Sequence, residues 1–526
     1  MLRDGKIWVA NNDAGEEIWL LPRMANRHGL IAGATGTGKT VTARVLAEAF
    51  SEMGVPVFLA DVKGDLAGIY AAGTDSEDMQ ARISRFGLAE HGFSYQGYPV
   101  TLWDIYGEKG IPLRTTVSEM GPILMARILQ LNDLQSDILS IVYRIADDRG
   151  LLLIDLKDLK SMLNYVMEHA KEFTEHYGRM SSASIGAILR AIVALEGEGG
   201  DQFFGETALF IGDWMQLGPG GKGMINILDS ESLINNGRLY STFLLWLLSE
   251  LFENMPEVGD LDRPKMVFFF DEAHLLFKDT PKALLDKIEQ VVKLIRSKGV
   301  GVYFCTQNPR DIPDGVLAQL GNRVQHALRA YTPAEQKAVR AAAQSFRENP
   351  AFNTVETLQA LGTGEALISM LGEDGIPTMV EKANVLPPQS RFGAISDPER
   401  DQNIKGSILY TKYAEYKDPE SAFEILQRLG LEEAAAAEQA KLEAQQAKER
   451  EREEAAKARA AAREAAQAEA AKKRAAKSVG NSVAGTVGRE AGKAVGGAFG
   501  GRFGKTLGGN LGASLGRGII GTLFKN

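Results

Sequence analysis

The segment Gly33-Ala34-Thr35-Gly36-Thr37-Gly38-Lys39-Thr40 leaves the chain least freedom. It meets G-x-x-x-x-G-K-[ST] at every fixed position. Such a loop requires a strand before it and a helix after it, so that backbone N–H groups can turn inward around an anion. Both neighbours are present: His28–Ala32 (HGLIA) reads as a short buried strand, and Thr40 to Met53 as a helix. The glycines allow the inward turn. Lys39 can reach β- and γ-phosphates, Thr40 can offer its hydroxyl to Mg²⁺, and the helix N-terminus adds its positive dipole end. The nucleotide contacts expected of this loop are Gly33, Ala34, Thr35, Gly36, Thr37, Gly38, Lys39, Thr40 and Val41.

A second motif supplies what a phosphate cradle lacks. Met266-Val-Phe-Phe-Phe270 is apolar throughout, which predicts a strand buried on both faces. Asp271-Glu272 follows it, and a carboxylate in that position is costly unless it works. Asp271 is expected in the Mg²⁺ shell, and Glu272 is positioned to orient and polarise an attacking water. Thr306-Gln307-Asn308 follows another apolar strand, Val300–Cys305, and Gln307 there can sense the γ-phosphate or position water. An arginine supplied in trans commonly completes such sites. Arg296, in LIRSKGVG, is the first choice, with Arg323 and Arg310 behind it. Asp61-Val62-Lys63-Gly64-Asp65 ends a further strand, Val55–Ala60, and either lines the site or merely turns the chain. His28 and His274 read as packing or hydrogen-bonded residues, because six histidines form no ligand cluster. The expected cofactors are ATP and Mg²⁺.

Strands alternating with helices imply a mostly parallel sheet of the α/β class, that of a P-loop nucleoside triphosphatase. Residues 1–24 read as a short hairpin (Lys6 to Val9, Glu17 to Leu20). Residues 25–115 form the first part of the core. The spacing of apolar residues at three and four through ILMARILQL, LQSDILSIVYRIADD and LKSMLNYVMEHA makes 116–205 an all-helical insertion. The core resumes over 206–395, with strands at Gly223–Leu228, Met266–Phe270, Val300–Cys305 and Arg323–Ala330, and a helix from Leu239 to Phe252. A C-terminal extension follows over 396–430. Residues 431–478 hold 20 alanines among charged residues and no apolar heptad, which predicts a solvated single helix. Over 479–526, glycine recurs every fourth residue from Gly488 to Gly516 beside an apolar ridge. A disordered tail, self-association and surface attachment to a membrane all remain open there.

Composition narrows the partners. One cysteine, Cys305, permits no internal disulfide and fits a reducing cytoplasm. The N-terminus has no basic and apolar regions of a secretory signal, and no apolar run reaches about 18 residues. Residues 431–526 carry 17 Lys and Arg against 11 Asp and Glu, a net +6. The first 430 carry 42 against 57, a net −15. An acidic body makes no global electrostatic case for nucleic acid, though a local basic channel is compatible with it.

Taken together, NRHGLIAGATGTGKT, FLADVKGDL, SSASIGAILRAI, FFFDEAHLLF and LIRSKGVGVYFCTQNP resemble the HerA-like branch of the HerA–FtsK ATPase superfamily, and within it the bacterial YjgR-type proteins, over residues 3–395. The resemblance implies an ASCE-type fold with the sensor strand between the P-loop and Walker B strands. It also implies a hexameric ring, a homo-oligomer with ATP between subunits. Lys39, Thr40, Asp271, Glu272 and Gln307 match its catalytic positions, and Arg296 matches its arginine finger. Residues 1–24 are too short for the N-terminal β-barrel of archaeal HerA proteins. The membrane spans and winged-helix domain of FtsK-type motors are not apparent either. The resemblance therefore points to an ATPase and a ring more than to DNA translocation. Three functions follow as expectations: a helicase-like DNA motor, a protein-remodelling ATPase held at a membrane by 479–526, and a nucleotide-dependent scaffold with slow hydrolysis.

Overall fold

A computed structural model describes residues 1–233, 236–278 and 282–428. The expected alanine-rich helix and the glycine-repeat tail lie outside the described residues. The strands are β1 (Leu2–Arg3), β2 (Lys6–Asn12), β3 (Glu17–Leu20), β4 (Gly29–Ala32), β5 (Val57–Asp61), β6 (Val100–Asp104), β7 (Ile111–Pro112), β8 (Ile225–Asp229), β9 (Met266–Phe270), β10 (Val300–Thr306), β11 (Asn322–His326), β12 (Glu365–Ser369) and β13 (Glu381–Val385). They form one sheet in the order β1-β2-β13-β12-β11-β4-β10-β9-β5-β8-β6-β7, with β3 paired to β2.

From β11 to β7 every pairing is parallel. Parallel strands need a covering layer on each face, and β4, β5, β8, β9 and β10 are buried along their whole length. On one face Phe50 of the Lys39–Glu52 helix packs on Phe269 and Tyr303, ring centroids 6.4 and 6.2 Å away. On the other, Trp214 stacks on Phe58 at 4.7 Å, and Phe58 lies 5.4 Å from Phe268. Burying side chains of this size stabilises by roughly 1.5–3 kcal/mol each. The strand β10 stands between β4 and β9, the arrangement the resemblance implies.

From β12 outward the pairings are antiparallel. The β2–β3 hairpin does not stand apart: Ala10, Asn11 and Asn12 pair with Val385, Asn384 and Ala383, which makes residues 1–24 the edge of the main sheet. The strands β6, β7, β12 and β13 had no counterpart in the sequence reading. Their segments, VTLWD, IP, EALIS and EKANV, hold no unbroken apolar run like the MVFFF of β9.

Helices Val117–Ile128, Asp133–Asp148, Leu156–Glu168, Ala170–Tyr177 and Ser182–Gly197 follow β7. Three of them begin with reciprocal capping boxes, at Thr116/Glu119, Asn132/Gln135 and Asp155/Asp158. The extension after 396 docks back onto the body. Arg400 and Asn403 donate to the carbonyls of Lys109 and Val100 at 3.1 and 2.8 Å. Asp158 accepts from Ser421 Oγ at 2.6 Å and from the Phe423 N–H at 2.9 Å. No single described helix is long and apolar enough to cross a membrane.

Candidate functional site

The carboxyl ends of β4, β10 and β9 bring three sequence motifs together. Register fixes the juxtaposition: Thr306 of β10 lies opposite Ala32 of β4, and Phe304 opposite Phe270 of β9. The Gly33 N–H donates to the Thr306 carbonyl at 3.2 Å, and the Ala273 N–H to the Cys305 carbonyl at 2.9 Å. Neighbouring strands lie about 4.8 Å apart, so Gly33, Gln307 and Asp271 are within two strand spacings of one another.

Gly33, Gly36 and Gly38 have φ of 151°, 76° and 122°, a left-handed backbone that side chains rarely adopt. At Gly33 a Cβ would stand 2.6 Å from the Cβ of His326. His326, at the end of β11, backs the loop. Its Nε2 is 2.8 Å from Thr42 Oγ1 and its Nδ1 is 2.9 Å from the Glu365 carbonyl oxygen. Burial lowers its pKa to about 4, so it stays neutral. Lys39 Nζ donates to the carbonyls of Gly33 at 2.6 Å and Ala34 at 3.2 Å. Its pKa is lowered by burial first and by Lys63 second. Thr35 and Gly36 are exposed, and Thr40 and Val41 are half-buried at the start of the helix.

Asp271 and Glu272 stand at the tip of β9. Burial, then Glu272, pushes Asp271 up to about 6, against the pull of Lys63 and Lys39. Tyr240 of the Gly237–Asn254 helix donates to the Asp271 carbonyl at 2.8 Å and fixes the tip from outside. Glu272 adopts a left-handed backbone at φ 46° while remaining buried. Its carboxylate lies 3.4 and 3.5 Å from Gln307 Nε2 and 3.3 Å from His274 Nδ1. The expected Gln307 thus reaches Glu272. The half-buried imidazole of His274 thus stands beside the candidate base. The DEAH spacing was the only signal for that contact. The oxygen donors here, Thr40 and Asp271, suit Mg²⁺, which would take its remaining ligands from phosphate and water.

The DVKGD segment forms a turn at the end of β5. Asp61 accepts from the N–H groups of Lys63, Gly64 and Leu66 at 3.2, 2.8 and 2.8 Å, which builds the turn. Lys63 is exposed and acts electrostatically on both Lys39 and Asp271.

The arginines separate. Arg323 donates to the carbonyls of Leu320, Ser345 and Leu317 at 2.9, 2.7 and 3.0 Å, a structural commitment that removes it as a finger. Arg310 is exposed beyond Gln307. Arg296 precedes β10, at the strand end opposite to Gln307, and sits 3.5 Å from Asp260. It is not gathered into the site at the other end of the strand. His28 is structural: its Nε2 is 2.7 Å from the Val292 carbonyl oxygen and its Nδ1 accepts from the Val302 N–H at 3.1 Å.

A family model described as helicase HerA-like C-terminal matches residues 6–504. The DNA double-strand break repair helicase HerA of Sulfurisphaera tokodaii is 22% identical over 364 residues, 67% of this chain and 64% of that protein. HerA of Sulfolobus acidocaldarius is 21% identical over 355 residues, 65% of this chain and 62% of that one. The chain thus spans less than two thirds of these relatives' length. Among solved structures, a bacterial conjugative coupling protein, TrwB lacking its N-terminal segment, superposes with a TM-score of 0.48 at 15% identity, covering 74% of this chain and 91% of that one. With the P-loop, the DE-tipped strand and the intervening sensor strand in one sheet, the chain belongs to the helicase HerA-like C-terminal family.

Proposed function

We propose that the chain is a Mg²⁺-dependent ATP hydrolase working as a DNA-translocating motor within a homo-hexameric ring in the cytoplasm. The observation that carries the hydrolase is the convergence of Lys39, Glu272 and Gln307 at three adjacent strand ends. In this reading Lys39 leaves its own loop's carbonyls for the β- and γ-phosphate oxygens. Thr40 and Asp271 would hold Mg²⁺, whose charge would offset that developing on the phosphates. Glu272 orients the attacking water and takes its proton, while Gln307 holds the Glu272 carboxylate and senses the γ-phosphate. Arg296 acts in trans. Its own site lies a seven-residue strand away, roughly 23 Å, which favours a neighbour's site as its target.

DNA as the substrate rests on the names of the relatives, which are DNA repair helicases. The test is the ATP hydrolysis rate with and without duplex DNA, from low to high salt. Stimulation that fades as salt rises is expected, because phosphate neutralisation dominates such binding. An unchanged rate at low salt removes the DNA motor and leaves the ATPase standing. For Arg296, mixing Arg296→Ala with Glu272→Gln subunits should restore part of the hydrolysis that neither variant shows alone. Intact rings without restoration would exclude the arginine from this role.

A further inference from the structure

We infer that Tyr331 is the nucleobase platform of the P-loop site, stacking its ring on the base of the bound nucleotide; this rests on the nucleotide reading above. The order β11-β4-β10-β9 decides where a base can go. Gln307 and Glu272 follow β10 and β9, on one side of the P-loop strand. A nucleotide carries its reacting phosphate and its base at opposite ends. With the γ-phosphate toward those tips, the nucleoside leaves the loop on the other side, over the end of β11.

What stands there is a braced rim. The Ala34 N–H donates to the carbonyl of Ala327, the first residue past β11, at 2.9 Å, and the Gly364 N–H donates to the Thr37 carbonyl at 3.0 Å. Arg329 ties these two rims together through the carbonyls of Leu361, at 3.1 Å, and Gln359. Leu328, Ala330, Val339 and Leu358 pack into one apolar cluster, which commits the segment's aliphatic residues inward. The Tyr331 N–H is held by Glu335 Oε2 at 2.8 Å, and Thr332 caps the Pro333–Gln344 helix. The backbone on both sides of Tyr331 is therefore fixed, yet its side chain is 85% exposed. It lies four positions after Ala327, at most about 14 Å of chain. An exposed aromatic ring on a held backbone, a few residues along the chain from the carbonyl that braces the phosphate loop, offers a stacking surface.

Stacking tolerates any base, since every base has a π-face. The site should thus favour large ring surfaces, purines over pyrimidines. The test titrates the full chain with Mg·ATP and with inorganic tripolyphosphate, which occupies the loop without a base. Tyr331→Ala should weaken ATP by about tenfold and leave tripolyphosphate unchanged, while Tyr331→Phe should bind both like the wild type. Equal ATP affinity in Tyr331→Ala overturns the platform and spares the ATPase. A parallel loss of both ligands, or a loss in Tyr331→Phe equal to that in Tyr331→Ala, overturns stacking as well. If the wild type binds neither ligand, the nucleotide reading itself fails and the platform with it.

Discussion

Two glutamates are buried near the phosphate loop, and they are held in opposite ways. Glu48, on the Lys39–Glu52 helix, accepts from the N–H groups of Gln389 and Ser390 at 2.8 and 3.1 Å and from Ser390 Oγ at 2.5 Å, with Arg44 one turn away. Among the described residues, the Glu272 carboxylate has only long side-chain contacts, 3.3 Å to His274 and 3.4–3.5 Å to Gln307, on a backbone with φ 46°. One carboxylate is saturated by short bonds, two of them to backbone that cannot leave. The other is held by side chains that can. A buried polar group tied to rigid backbone serves the fold, whereas one left loosely held by mobile partners is free to change partners during a reaction.

Lys39 belongs with Glu272 in this comparison, a desolvated charge resting on its own loop. Lys39→Ala should weaken Mg·ATP binding at least about 100-fold with no loss of melting temperature, measured by titration and calorimetry. A stability loss would move Lys39 to the structural side. Glu48→Ala should do the reverse. It strands the N–H groups of Gln389 and Ser390 and the Ser390 hydroxyl, so unfolding should become easier by about 2–3 kcal/mol. The ATP affinity of the folded protein should hold, and denaturant melts read both quantities. Arg323→Ala frees three carbonyls at partly buried positions and should cost about 1–2 kcal/mol without touching hydrolysis. A hydrolytic defect at unchanged stability would restore Arg323 as a finger. His274→Ala should have the smallest effect, a fall of less than about tenfold in kcat at unchanged KM. A larger fall would make His274 a partner in proton transfer.

The strongest parts of this arrangement were legible because they are local. Gly33 to Thr40 must sit between a strand and a helix, and five apolar residues ending in Asp271-Glu272 must be a buried strand. The antiparallel edge was not legible. Glu365–Ser369 and Glu381–Val385 pair with each other but are short and mixed in polarity, and their outer partners, β11 and β2, lie far away in sequence. The backing of Gly33 by His326 likewise exists only once β11 lies beside β4. Glu272's left-handed backbone could not be read at all, because its residue type gives no hint of φ. Arg323 looked available as a charge at a strand start, and only the three carbonyls around it reveal that it is spent.

The central claim is that these strand ends form one hydrolytic site in which Glu272 activates water. The most direct measurement follows radiolabelled ATP bound to Glu272→Gln through a single turnover, beside the wild type. Affinity and melting temperature should match the wild type, and the bound label should remain ATP, with hydrolysis slowed by about 10³-fold. Conversion to ADP at the wild-type rate would remove Glu272 from the chemistry and contradict the account.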